Sequence, residues 1–85
     1  MYILLIDDKK SILDFVTPLL MAGGHIVETA LNGLDAFEKA QQQSFDLYII
    51  DHLMPVMNGL QLSKNLLSNP FTANTPIIFM TTQNT

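Results

Sequence analysis

The chain has 85 residues, of which 48% are hydrophobic and 14% charged, a composition that excludes a disordered segment and leaves room for one small hydrophobic core. Eight acidic residues against four basic ones give a formal net charge of −4, which argues against a basic surface for nucleic acid. The lack of cysteine excludes disulfides and thiolate metal sites, so a bound metal would have to be a hard cation held by oxygen atoms.

The N-terminal part of the chain predicts a strand followed by a helix. Tyr2–Ile6 is a short apolar run that ends at two aspartates, which is typical of a strand buried on both faces. Over residues 11–21, apolar side chains recur at three- and four-residue spacing, which predicts a helix that ends at Gly23-Gly24. Pro18 lies inside this helix, and we expect a kink or an early break there because proline removes a backbone donor.

The middle of the chain predicts a strand, a helix and a further strand. Residues 25–30 suit a short strand, and Asn32-Gly33 offers a turn and a helix start before apolar positions over residues 34–42. Residues 45–50 form a second closed apolar run that ends at Asp51. This run predicts a third strand, again buried on both faces.

The last part of the chain predicts one more helix and one more strand. Asn58 can cap a helix that ends at Asn69-Pro70, and Pro76 precedes a fourth strand, Ile77–Met80. The regular alternation of strands and helices predicts the α/β class, with a parallel sheet and helices packed on its faces.

The N-terminal sequence also indicates where in the cell the protein is expected. It has neither the basic leader nor the apolar core of a signal peptide, and no apolar run approaches the roughly 20 residues of a membrane helix. We therefore expect one cytoplasmic domain over residues 1–85, without contact with a membrane.

Chemically distinctive residues follow three of the predicted strands. Asp7 and Asp8 follow the first strand, Asp51 ends the third, and Thr81-Thr82 ends the fourth. Ligands of open parallel sheets bind at the carboxyl ends of the strands, so these residues should meet at one edge. Crowded carboxylates repel one another unless a cation neutralises them. Their oxygens suit Mg²⁺, for which Mn²⁺ could substitute.

A carboxylate beside Mg²⁺ can act as a nucleophile towards phosphorus, because the metal neutralises charge on the transferring phosphoryl oxygens. We predict that Asp51 is this nucleophile. The hydroxyl of Thr81 could donate a hydrogen bond to the bound phosphoryl group, and backbone N–H groups near His52 and Thr82 could donate others.

Simpler interpretations of the same residues remain open. An aspartate after a strand is often a turn former or a helix cap, and Thr81 and Thr82 could be β-branched residues that finish a strand. Lys9-Lys10 is interpreted as the solvated start of the first helix, with the alternative that Lys9 reaches the carboxylates.

Four segments of the chain, in their order and spacing, resemble the motifs of the response-regulator receiver domain. They are Asp7-Asp8, Asn32-Gly-Leu-Asp-Ala36, Asp51-His-Leu-Met-Pro-Val-Met-Asn-Gly59 and Pro76-Ile-Ile-Phe-Met-Thr-Thr82. The resemblance implies a flavodoxin-like parallel sheet with helices on both faces. The expected form is incomplete, with four strands in the order 2-1-3-4 and three helices.

The resemblance also implies roles for individual residues. Asp8, Asp51 and the backbone carbonyl of Leu53 would bind Mg²⁺, and Asp7 would contribute through water. Asp51 would receive the phosphoryl group from a histidine kinase or a phosphotransfer protein, and Thr81 would be the switch hydroxyl. Such a domain takes part in its own phosphorylation but is not a turnover enzyme.

The family pattern continues through a fourth helix, a fifth strand with a lysine that pairs with the phosphoryl group, and a fifth helix. From this sequence we expect a receiver domain truncated after the fourth strand, in which no lysine can be assigned that role. The alternative function is therefore a non-phosphorylated docking or dimerisation module. An exposed fourth strand predicts a homodimer, formed by pairing of fourth strands or by exchange of elements between chains.

A phosphatase-like enzyme with an aspartate nucleophile is a third alternative. Such enzymes usually place a second acid two residues after the nucleophile. That position is Leu53, which can supply neither an acid nor a base, so the sequence disfavours this alternative.

Overall fold

A computed structural model of the protein describes residues 1–51 and 58–80. The elements are, in chain order, β1 Tyr2–Ile6, α1 Lys10–Ala22, β2 Ile26–Ala30, α2 Gly33–Gln42, β3 Leu47–Asp51, α3 Gly59–Ser68 and β4 Ile77–Met80. The predicted alternation of strands and helices is confirmed. No helix in this part of the chain is long and apolar enough to cross a membrane.

The early break expected at Pro18 does not occur in α1. The helix continues through Pro18 to Ala22. Proline removes the donor that would bond the carbonyl of Asp14. Both residues are exposed, so water can hydrate that carbonyl and the cost of the missing bond stays small enough for the helix to continue.

The four strands form one parallel sheet with the order β2-β1-β3-β4, which confirms the predicted flavodoxin-like topology. The register places Ile6 of β1 opposite Ala30 of β2 and Ile50 of β3. In the same way Asp51, the last residue of β3, lies opposite Met80, the last residue of β4. The carboxyl ends of the strands therefore meet at one edge of the sheet.

Helices cover both faces of the sheet, as predicted. Helices α2 and α3 contact each other and pack on one face, whereas α1 packs on the other face against β1 and β2. The core on the α2–α3 face consists of the buried residues Leu4, Ile6, Ala30, Ala36, Ala40, Phe45, Tyr48, Ile50, Leu62 and Leu66. Because β1 is covered on both sides, its sequence is apolar without alternation.

Side chains of asparagine begin two of the helices. Asn32 Oδ1 accepts a hydrogen bond from the backbone N–H of Asp35 at 2.8 Å, and Asn58 Oδ1 accepts one from Gln61 at 2.8 Å. Each bond satisfies a backbone donor that the first helical turn leaves without a partner. The cap of Asn58 fixes the start of α3, and that of Asn32 the start of α2, as the sequence predicted.

Candidate functional site

Three aspartates meet at the carboxyl edge of the sheet. Asp7 and Asp8 directly follow β1, and Asp51 is the last residue of the neighbouring strand β3. Each of the three side chains offers one carboxylate oxygen, and these oxygens lie within 4.8 Å of one another. The structure thus brings together three of the residues that the sequence placed at this edge.

Asp7 carries the most constrained carboxylate of the three. Its side chain is fully buried, and its Oδ1 accepts a hydrogen bond from the backbone N–H of Lys9 at 2.8 Å. Its Oδ2 is buried without a hydrogen-bond partner among residues 1–51 and 58–80. Burial raises the pKa of the Asp7 carboxyl above its ordinary value, and the hydrogen bonds from Lys9 offset only part of that rise.

Lys9 extends its ammonium group into the cluster of aspartates. Its Nζ lies 3.0 Å from Asp51 Oδ2, 3.1 Å from Asp8 Oδ1 and 3.2 Å from Asp7 Oδ1. Hydrogen bonds to Asp51 and Asp8 raise the pKa of Lys9 above its ordinary value, against a smaller effect of desolvation. For Asp8, burial raises the pKa, but the hydrogen bond and the charge of Lys9 together outweigh burial, so that this pKa is lowered.

The alternative that Lys9 reaches the carboxylates is therefore confirmed, although its side chain is also 42% exposed to solvent. Lys10 does behave as a solvated residue, because its side chain is 79% exposed and pairs with the exposed Asp14 at 2.9 Å. Adjacency of Lys9 to two aspartates is the only signal in the sequence that could have separated the two lysines.

Four of the predicted site residues lie outside the described part of the chain. They are His52 and Leu53, which follow β3, and Thr81 and Thr82, which follow β4. Their roles at the site stay predictions.

The three aspartates fit a hard divalent cation. With all four groups charged, three carboxylates and one ammonium leave two formal negative charges at the edge of the sheet. The donor atoms are all oxygens, which Mg²⁺ prefers. The buried Oδ2 of Asp7 also lacks a protein partner in the described ranges, as expected of an atom that a metal or a metal-bound water would contact.

Comparisons with known proteins identify the family to which the chain is similar. The chain matches the response regulator receiver domain family over residues 3–85. Protein PilH of Pseudomonas aeruginosa is 35% identical over 81 residues, which cover 95% of this chain and 67% of PilH. The gliding motility regulatory protein of Myxococcus xanthus is 36% identical over 92% of this chain, and the probable transcriptional regulator ycf29 of Porphyra purpurea is 34% identical over 93%. Both relatives are much longer, and the chain spans only 10% and 38% of their lengths.

Solved structures show the same arrangement of strands and helices. The chemotaxis response regulator CheY4 of Vibrio cholerae superposes with a TM-score of 0.91 at 38% identity, over 99% of this chain and 70% of CheY4. Response regulator protein TrrA of Thermotoga maritima, solved in complex with Mg²⁺-BeF, gives a TM-score of 0.88 at 28% identity, over 98% of this chain and 70% of TrrA.

Proposed function

The chain belongs to the response regulator receiver domain family, and from this membership we propose that it accepts a phosphoryl group on Asp51 in a Mg²⁺-dependent reaction. Receiver domains are signalling modules of two-component systems rather than turnover enzymes. The donor would be a histidine kinase or a phosphotransfer protein in the cytoplasm. The observation that carries the proposal is the meeting of Asp7, Asp8 and Asp51 at the carboxyl edge of the sheet.

Asp51 has the properties of a nucleophile held in place. Its backbone is fixed in β3 opposite Met80, and its residue exposure is only 1%. In the proposed step a carboxylate oxygen of Asp51 forms a bond to phosphorus, and the bond from phosphorus to the donor breaks, with its electron pair leaving on the donor. The attacking atom is a carboxylate oxygen, so the step requires no general base from the protein.

The neighbouring residues would bind the metal ion. Asp8, Asp51 and the carbonyl of Leu53 would be direct ligands, and Asp7 would act through water. When bound, Mg²⁺ neutralises charge on the phosphoryl oxygens during transfer. The structure of TrrA in complex with Mg²⁺-BeF supports the proposal of a Mg²⁺ site in this chain. Mn²⁺ would substitute for Mg²⁺, because it accepts the same oxygen ligands.

Residues after β3 and β4 would bind the phosphoryl group itself. The hydroxyl of Thr81 would donate one hydrogen bond, and the backbone N–H groups of His52 and Thr82 would donate others. Such donors suit an anion that carries nearly two negative charges.

Intact-mass analysis after incubation with acetyl phosphate and Mg²⁺ tests the proposal. We expect an adduct of about 80 Da on the wild-type chain, and its loss in Asp51→Asn, because the amide has no charged oxygen to attack phosphorus. Asp14→Asn is the matched control, since Asp14 is exposed and pairs only with Lys10 in the described structure. An adduct that persists in Asp51→Asn, or no adduct on a folded chain that binds Mg²⁺, would contradict the proposal.

A second candidate function, a dimerisation or docking module, is favoured by an apolar surface on the α1 face of the sheet. Helix α1 lies mainly over β1 and β2, whereas Ile49 of β3 and Ile78 of β4 pair side by side on that face, and Ile78 is 52% exposed. Phe15 and Leu19 of α1 are 68% and 60% exposed. A patch of this kind on a sheet edge is typical of a contact surface.

We propose that a second copy of the chain covers this surface. Sedimentation velocity over a wide range of concentrations should show reversible dimers, and Ile78→Lys should remove them, because a lysine on an edge strand opposes pairing. Leu67→Lys, which places the same charge on an exposed site of α3, should leave the dimers intact. A chain that stays monomeric at every concentration would refute self-association without affecting the phosphorylation proposal.

A further inference from the structure

We propose that Lys9 is an internal counter-ion of the metal-free site, and that Mg²⁺ must displace its ammonium group in order to bind. This inference rests on the divalent-cation site proposed above and assigns to Lys9 a role in setting the affinity of that site. Lys9 affects metal binding through the three aspartates and is not itself a ligand of the metal.

The Lys9 ammonium contacts the same side chains that a metal ion would contact. The ammonium of Lys9 contacts one oxygen of each aspartate, at distances between 3.0 and 3.2 Å. These are the same three side chains that offer ligand atoms to a metal. A metal ion that shares any two of these oxygens would lie within a few ångströms of the ammonium. Two cations that close repel strongly at a partly buried site, so the ammonium and the ion exclude each other.

Without the Lys9 ammonium, the buried carboxylates of the metal-free protein would lack a counter-ion. Asp7 and Asp51 are 0% and 1% exposed, and buried carboxylates without a counter-ion are strongly destabilising. In the metal-free protein Lys9 supplies that counter-charge from within the chain. Lys9 offsets one of the three negative charges, so the metal-free fold depends less on a metal ion than a site made of three aspartates alone would.

The side chain of Lys9 can move although its backbone is held in place. The backbone of Lys9 is held at the start of α1 by the hydrogen bond from its N–H to Asp7 Oδ1. Its side chain, in contrast, is 42% exposed. The ammonium can therefore swing into solvent by rotation about side-chain bonds, without movement of α1. Displacement then costs the ion pairs of Lys9 but no rearrangement of the fold.

Isothermal titration of Mg²⁺ into the wild-type chain, Lys9→Met and Lys10→Met tests the inference. Methionine keeps an unbranched side chain without the charge. We expect Lys9→Met to bind Mg²⁺ about tenfold more tightly than the wild type. A change of this size corresponds to the loss of one charge-assisted hydrogen bond that competes with the metal. Lys10→Met removes the same charge one residue away, where Lys10 pairs with Asp14, and should bind as the wild type does.

The outcomes separate this inference from the proposed function. Binding to the wild type with unchanged or weaker affinity in Lys9→Met would overturn the role of Lys9 and leave the metal site standing. Absence of Mg²⁺ binding in all three chains would overturn the metal site and the inference with it. Equal tightening in Lys9→Met and Lys10→Met would show a general charge effect and would also overturn the inference.

A measurement on the wild-type chain covers the case in which Lys9→Met does not fold. The ammonium groups of lysines can be followed by ¹⁵N NMR, and Lys10 serves as an internal reference. During a Mg²⁺ titration we expect the Lys9 signal to shift and to saturate together with the backbone amides of Asp7 and Asp8. A Lys9 signal that stays constant while those amides shift would overturn the displacement.

Discussion

Asp7→Asn is expected to stabilise the metal-free protein while it weakens the response to Mg²⁺. The Asp7 carboxylate is fully buried, its Oδ2 has no hydrogen-bond partner within the described ranges, and burial raises its pKa. Asparagine keeps the oxygen that accepts the N–H of Lys9 and removes the buried charge. Lys9 retains its ion pairs with Asp8 and Asp51. The gain in the free energy of unfolding should be about 1–3 kcal/mol.

Urea unfolding with and without Mg²⁺ measures both effects. Wild-type protein should gain stability as Mg²⁺ is added, since a ligand of the native state stabilises it by mass action, and Asp7→Asn should gain less at the same Mg²⁺ concentration. Asp14→Asn, in which an exposed carboxylate is replaced, should change stability by no more than about 0.5 kcal/mol and should keep the Mg²⁺ response. A destabilised Asp7→Asn would show that the buried charge is well compensated in the native state.

Leu66→Ala is expected to have the largest effect on stability, a loss of about 2–5 kcal/mol. Leu66 is 1% exposed and belongs to the core between α2, α3 and the sheet. Truncation to alanine removes apolar contacts and leaves a cavity that the neighbouring strands cannot fill. Domains of this size are stable by only about 5–15 kcal/mol, so much of the folding free energy would be lost.

The adjacent leucine supplies the control. Leu67 is on the same helix but 57% exposed, and Leu67→Ala should change the free energy of unfolding by no more than about 0.5 kcal/mol. Thermal or denaturant unfolding followed by circular dichroism measures both variants. Equal losses in the two would mean that Leu67 is covered in solution, for instance by a second chain.

Much of the fold could be predicted because β1 and β3 are closed apolar runs that end at aspartates, and because α2 and α3 begin at capping asparagines. The strand order could not be read from local patterns and came from the resemblance to a family. The bounds of β3 show a limit of hydrophobic patterns. Phe45 lies before the strand, yet it is buried and its ring packs 4.8 Å from that of Tyr2. Such a pattern reports burial, not pairing with a neighbouring strand.

The candidate site was predictable to a similar degree. Asp7, Asp8 and Asp51 could be placed together, because parallel strands bring their carboxyl ends to one edge. The position of the Lys9 ammonium was not predictable, since four rotatable bonds lie between its backbone and its charge. The hydrophobic period and the helix propensity of the sequence do not determine the position of this ammonium group. His52, Leu53, Thr81 and Thr82 keep the roles predicted from sequence and resemblance.

Helix α1 buries fewer of its residues than either of the other two helices. Of its 13 residues only Leu13 is buried, Pro18 lies within it, and no side chain caps its first turn. Local opening begins in segments with few buried contacts. Amide hydrogens of α1 should therefore exchange with solvent through openings that leave the strands intact. Since Lys9 immediately precedes this helix, an opening of α1 would also loosen the charge that partly offsets the aspartates.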